Sequence, residues 1–271
     1  MCLRLLNEDR SLMLFPLFSS IATIVLLVSF GIPIWIGIHA GAAGERMLGL
    51  HSAGHLVVYA ALYLVCYSVT TFFNTGLIFV AFKRMEGQPA TVGDGLRAAA
   101  SRLDKILGYC VIAATVGMVL RAVEERVGFI GRLFTGFLGF AFTIATALAV
   151  PALVAGDVGP IDAIKQSIGL MKRTWGENII GNAGVSALTS FSILAVIIST
   201  VVLVGLAAEA DMTALALVIG AAGFIAFCLV ILISATLHSI YTAALFRYAS
   251  GASIGAYFDP VVLGTAYRVR S

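Results

Sequence analysis

Apolar residues in this chain do not alternate with polar ones; they gather in continuous runs separated by short polar segments. A helix needs about 20 consecutive apolar residues to cross a bilayer. Runs at 12–38, 56–82, 133–154, 179–207 and 215–246 meet that length, and a shorter one at 106–120 needs its flanks. The pattern predicts an all-α polytopic membrane protein with six transmembrane helices in one integral membrane domain, residues 1–271. A transmembrane β-barrel would show alternating strands of about ten residues, which are not found. Arg4 and Arg10 before the first run, and small residues after it, imitate a secretory signal. The run exceeds the 7–15 apolar residues of such a signal, roughly, so it is read as a retained helix.

The polar segments carry a second pattern. Between the fourth and fifth runs, Ile161, Ile164, Ile168, Met171 and Trp175 recur at steps of three and four, as do Val92, Leu96, Ala99, Leu103 and Ile106 between the second and third. Such spacing places each set on one face of a helix. Asp162, Lys165, Gln166, Lys172 and Arg173 occupy the remaining surface of one, and Asp94, Arg97, Ser101, Asp104 and Lys105 that of the other. Pro160 suits a first helical position, and Asp94 and Asp162 oppose the positive end of a helix dipole. Two amphipathic helices are expected, the second over 161–175 with Ile161, Ile164, Ile168 and Met171 buried and Lys165 and Lys172 in water.

The two segments also align with each other. Asp94-Gly95-Leu96-Arg97 pairs with Asp162-Ala163-Ile164-Lys165, Lys105 with Arg173, and Gly108 with Gly176. A third partial copy falls in 251–270. The economical architecture is three hairpin repeats, roughly 12–105, 106–177 and 178–271, each followed by an interfacial segment.

Composition agrees with the pattern: of 271 residues 60% are hydrophobic and 11% charged, with a mean hydropathy of +1.03. Charge then gives an orientation. Thirteen of the 17 Lys and Arg lie in the N-terminus, the second-to-third and fourth-to-fifth connections and the C-terminus; Arg46, Arg121, Arg126 and Arg132 lie on the other side. By the positive-inside rule both termini and both amphipathic helices face the cytoplasm of a bacterial inner membrane. Arg97, Arg102, Lys105, Lys165, Lys172 and Arg173, with the apolar stripe and Trp175, form the candidate surface for lipid or a membrane-associated partner. Nine acids on the same side leave a surplus of only four positive charges, which argues against nucleic acid.

Chemistry is sparse. His51 and His55 stand four apart with His39 and Glu45 nearby, a weak metal pattern without the internal Glu of a zinc hydrolase. Glu124-Glu125 lies among Arg121, Arg126 and Arg132, where salt bridging is the expected role. Thr70, Thr71, Asn74 and Thr75, then Asn178 and Asn182, then His238 and Tyr241, interrupt the apolar runs. They are read either as interhelical hydrogen bonds or as the lining of a polar path through Asn74, Asn178 and Asn182. The helix cores carry no Asp, Glu, Lys or Arg, which argues against an ion-coupled pump. Cys2, Cys66, Cys110 and Cys228 lack metal or redox spacing and are read as packing residues. Many glycines within the runs permit close helix approach and a homo-oligomer. Nothing asks for a catalytic site or a cofactor.

The blocks FFNTGL (72–77), TVGDGLRAA (91–99), ATVGMVLRAVEE (114–125), GPIDAIKQS (159–167), KRTWGE (172–177) and LFRYASG (245–251) together resemble an uncharacterised family of bacterial six-helix membrane proteins, a domain of unknown function. Gly156 stands where that family often carries an acid. The hairpin-plus-GPIDAIKQS pattern is more distantly similar to the membrane domain of glycerophosphodiester phosphodiesterases. The resemblance implies topology without an activity. The leading expectation is a non-enzymatic inner-membrane protein whose amphipathic helices organise lipid or recruit a partner. The alternatives are a facilitator or channel for a small or lipid-like substrate, and metal binding at the outer His cluster.

Overall fold

The computed structural model describes residues 10–39, 52–173, 175–210 and 212–251. Among them, regular structure is entirely helical, and six helices are long and apolar enough to cross a membrane. The first begins with a 3-10 turn, Arg10–Met13, and continues as α1 (Leu14–Leu26), a π turn at Leu27–Gly31 and α2 (Ile32–His39). Pro33 explains the irregularity. Its ring cannot donate to the carbonyl four residues back, and the widened turn accommodates the clash.

α3 (Ser52–Met85) ends in a turn that leads to the short α4 (Val92–Ala100). α5 (Leu103–Glu124) follows directly and is 22 residues long, so the shortest apolar run does draw on its flanks. α6 (Phe129–Thr146), α7 (Ala149–Gly156) and α8 (Pro160–Arg173) come next, then the long α9 (Trp175–Glu209) and α10 (Thr213–Ala249).

Three expectations need correction. Residues 92–106 do not form one amphipathic helix: α4 stops at Ala100, and Leu103 and Ile106 belong to α5. Arg102 causes the stop. Its backbone leaves the helical region (φ −119°, ψ 19°) and its Nη1 donates to the Ala98 carbonyl at 3.0 Å, satisfying an orphan acceptor at the helix end. The run 133–154 likewise breaks, at Ala147–Leu148. Pro151 has no N–H for the Ala147 carbonyl and its ring crowds that carbonyl, and the Leu148 N–H at the start of α7 donates to Ser167 Oγ at 3.1 Å. Finally, the buried face of α8 is Ala163, Ser167 and Met171 rather than the isoleucine stripe. Ile164 packs half-buried on the core, whereas Ile161 and Ile168 are 59% and 37% exposed. Trp175 opens α9 instead of closing α8.

The core sits at one end of the bundle, where α1, the last turns of α3 and α10, the start of α5, and α7 and α8 converge around Phe15, Leu77, Ile106, Leu153 and Ile240. Toward the other end, α9 and α10 pair with each other and expose Phe191, Leu217 and Phe224. Lipid tails are as apolar as these side chains, so exposure there costs little, and close packing is what holds membrane helices together. Gly76 and Gly95 show it: a Cβ on Gly95 would lie 2.7 Å from the Gly76 carbonyl oxygen and 2.6 Å from Cζ of Phe15.

Candidate functional site

The hydroxyls of α3 are mostly satisfied by their own helix. Ser68, Thr70, Thr71 and Thr75 each donate to the carbonyl four residues earlier, at 2.7–3.0 Å. Asn74 reaches outside its helix. Its Oδ1 instead accepts from Ser239 Oγ on α10 at 2.7 Å. This bond joins two helices inside the bundle.

Beside it lies a cavity of about 570 Å³ walled by α1, α3, α5, α6, α7 and α10. Its size falls within the roughly 300–1,000 Å³ of ligand pockets. Tyr67, Thr70, Thr71 and Asn74 of α3, Tyr109 of α5, Thr143 and Thr146 of α6, and His238, Ser239, Tyr241 and Thr242 of α10 line it. The Tyr67 and Tyr109 hydroxyls are 3.5 Å apart, with ring centroids at 6.4 Å. Phe15, Phe73, Leu77 and Leu245 supply apolar wall. Among the described residues no carboxylate, Lys or Arg lines it. Ser20, Thr70, Thr143 and His238 on its walls are exposed, so the cavity communicates with the outside of the bundle through its sides.

At the core end, α3 and α10 are tied by a second polar contact. Arg247, 9% exposed, places Nη1 2.7 Å from Glu86 Oε1 and its guanidinium carbon 5.9 Å over the Phe82 ring. α5 is tied to the α7–α8 connection in the same way. Lys105 Nζ donates to both the backbone carbonyl and Oδ1 of Asp157, at 2.7 and 2.6 Å, with Arg102 Nε at 3.9 Å from the same carboxylate. The Lys105 hydrogen bond and charge hold the Asp157 carboxyl below the ordinary carboxylate range. Asp157 is left-handed (φ 48°), a conformation that Asp tolerates better than most residues.

Of the residues singled out from the sequence, Asn74, Thr70, Thr71, His238 and Tyr241 meet in this cavity, whereas Thr75 is buried away from it. Arg97 and Lys165 lie exposed on α4 and α8, while Arg102 and Lys105 turn toward Asp157. Lys172 is exposed beside a small apolar groove with Ile168 and Met171. The side chains of Arg173, Trp175, Asn178, Asn182, His39 and His55, and residue His51, lie outside the described residues. Among the described residues no group of His, Cys, Asp or Glu is arranged to hold a metal ion. Sequence reasoning missed Tyr67, Tyr109, Thr143, Thr146, Ser239 and Thr242. Thr242 carried a usable signal, since it stands three residues after Ser239 and four after His238 on α10; the tyrosines carried none.

Residues 52–256 match the model of a family of unknown function (DUF6159). The chain belongs to this family. Comparison with curated proteins and with solved structures returned no match. None of these comparisons supports the expected likeness to the membrane domain of glycerophosphodiester phosphodiesterases. The matched span contains the cavity walls on α3, α5, α6, α7 and α10, together with α4 and α8, so the family's shared part includes nearly the whole candidate site.

Proposed function

We propose that this protein is a non-enzymatic facilitator or carrier of the bacterial inner membrane, which takes a small amphiphilic or lipid-like molecule into the cavity beside Asn74. One observation carries the reading: a pocket of ligand size, about 570 Å³, lined by hydroxyls, an amide and an imidazole at the depth of membrane-spanning helices. Polar groups at that depth must face protein or water, and those of several helices converge here. An uncharged lining suits a neutral or zwitterionic head, and the lateral openings suit entry from the lipid phase. In this reading both termini, α4 and α8 face the cytoplasm, and three hairpin repeats supply the two short helices as a collar. Single cysteines at Asn74, Thr146 and Thr242, in a chain whose native cysteines are replaced by Ala, test it. A water-soluble methanethiosulfonate should modify all three, and an organic extract of the purified protein should contain an amphiphile that is lost in Asn74→Leu. Unreactive cysteines would mean a dry core and would sink the proposal.

A second reading is favoured by a separate observation. Ile161 and Ile168 point away from the bundle on α8 while Ala163, Ser167 and Met171 pack inward, giving the helix one apolar surface for the bundle and another for a bilayer. α8 and α4 then organise lipid or recruit a membrane-associated partner. Solvent protection of single cysteines at 161 and 168 of the full chain in liposomes supports it; exposure in liposomes rejects it.

A further inference from the structure

Between the end of α3 and α4 the chain forms a cleft of about 470 Å³, separate from the cavity described above. Phe79, Ala90 and Ala98 give it apolar walls, and Lys83, Arg97 and Arg102 line it as well. One carboxylate is present, that of Asp94, and it is turned onto its own helix. Asp94 Oδ2 accepts from the Thr91 N–H at 2.9 Å and from the Thr91 hydroxyl at 2.7 Å. Lys83 Nζ donates to Gln88 Oε1 at 2.9 Å and sits 3.8 Å from Glu86. Arg84 Nη2 donates to the Ala90 carbonyl at 3.1 Å, so the turn walling the cleft is held by basic residues of α3. Arg102 caps Ala98, and its Nε, 3.9 Å from the Asp157 carboxylate, makes no hydrogen bond among the described residues. A guanidinium fork with a donor unused is well matched to phosphate oxygens.

We propose that this cleft is a binding site for the phosphodiester head of an anionic lipid, gripped by Lys83, Arg97 and Arg102, with the lipid's first apolar carbons against Phe79 and Ala98. The assignment shares the membrane placement of α4 with the proposed function but does not depend on the cavity, and its test is independent of both cavity and orientation. The full-length chain in neutral detergent is titrated with dioleoylphosphatidylglycerol, dioleoylphosphatidylcholine and sn-glycerol 3-phosphate, and complexes are counted by native mass spectrometry. One phosphatidylglycerol should bind at least about tenfold more tightly than phosphatidylcholine, by the gain from several basic residues near anionic lipid. Arg97→Gln, an exposed position, should weaken it about fivefold, and Arg97→Gln with Lys83→Gln about 25-fold. Lys165→Gln on α8 should change nothing. Equal binding of the two lipids, or full affinity in the double variant at unchanged helix content, overturns the site. Competition by glycerol 3-phosphate at equimolar concentration overturns the lipid in favour of a soluble phosphate.

Discussion

α4 and α8 are both short helices that follow a membrane-capable helix, α4 after α3 and α8 after α6 and α7, and they are fastened by different means. α4 has nine residues and is held by closeness: Gly95, Ala98 and Ala99 are buried, and Gly95 lies so near Gly76 of α3 that neither has room for a side chain. α8 has 14 residues and is held in part by a polar contact, in which Ser167 accepts the Leu148 N–H at the helix break before α7. Their starts differ too. Thr91 and Asp94 form a reciprocal capping box on α4, whereas α8 begins with Pro160, whose ring lies against Gly108 of α5. A short helix can therefore be held by backbone proximity or by a polar contact at a helix break, and substitutions should separate the two.

The largest effect is expected at Gly95. A leucine there must displace the Phe15 ring or the Gly76 backbone, neither of which moves cheaply, and overpacking of this kind costs typically about 1–3 kcal/mol. Thermal unfolding in detergent should show Gly95→Leu at the upper end of that range. Gly93 is the control, because a Cβ there would meet only Thr91 Oγ1 at 3.6 Å. Gly93→Ala should stabilise by up to about 1 kcal/mol through helix propensity. A destabilised Gly93→Ala would show that neither glycine of α4 accepts added bulk and that the Gly76–Gly95 contact is not special.

Next comes Ser167→Ala. It leaves the Leu148 N–H buried without its acceptor, at a cost of about 1–3 kcal/mol, and amide exchange at Leu148 should accelerate. Unchanged exchange would mean that the α6–α7 break is held by packing alone. Smaller again is Thr91→Ala, which removes the side-chain half of the capping box for about 1 kcal/mol. Pro160→Ala on α8 should cost less, since no side-chain cap is lost there.

Six spans were legible because length and apolarity are properties of each segment by itself. The interruptions were not, although their causes are visible in the sequence. Pro33 and Pro151 lie inside apolar runs, and reading them against the residue four places back gives both the π turn and the break at Leu148. The α8 face was misread for a related reason. Large isoleucines at helical spacing suggest a buried stripe, but in a membrane an isoleucine can face lipid, and the inward positions go to Ala163 and Ser167, small enough for close contact. Asn74 was found because a mid-helix amide stands out in an apolar run. Tyr67 and Tyr109 are 42 residues apart in sequence and were brought together only by the fold.

The smallest effect concerns acid. Asp94 and Asp157 both titrate below the ordinary carboxylate range, Asp94 chiefly through the Thr91 backbone hydrogen bond and Asp157 chiefly through Lys105. A carboxyl whose folded pKa is depressed contributes stability that is present above its unfolded pKa and lost as pH falls through the folded one. Taking the unfolded value as about 3.9, both joints hold at neutral pH and weaken below about pH 4. Asp157→Asn isolates the charge, because Asn also accepts the left-handed backbone. The variant should unfold with a shallower acid limb than the parent. The difference should be modest and should shrink in molar salt, since the Asp157 side chain is 73% exposed and exposed pairs are screened. Asp94→Asn should flatten the same limb through α4 with less salt dependence, because its partner is a backbone N–H rather than an ammonium. Identical acid limbs in parent and Asp157→Asn would leave Lys105 as a spacer and make the α5 tie a matter of packing, as it is for α4.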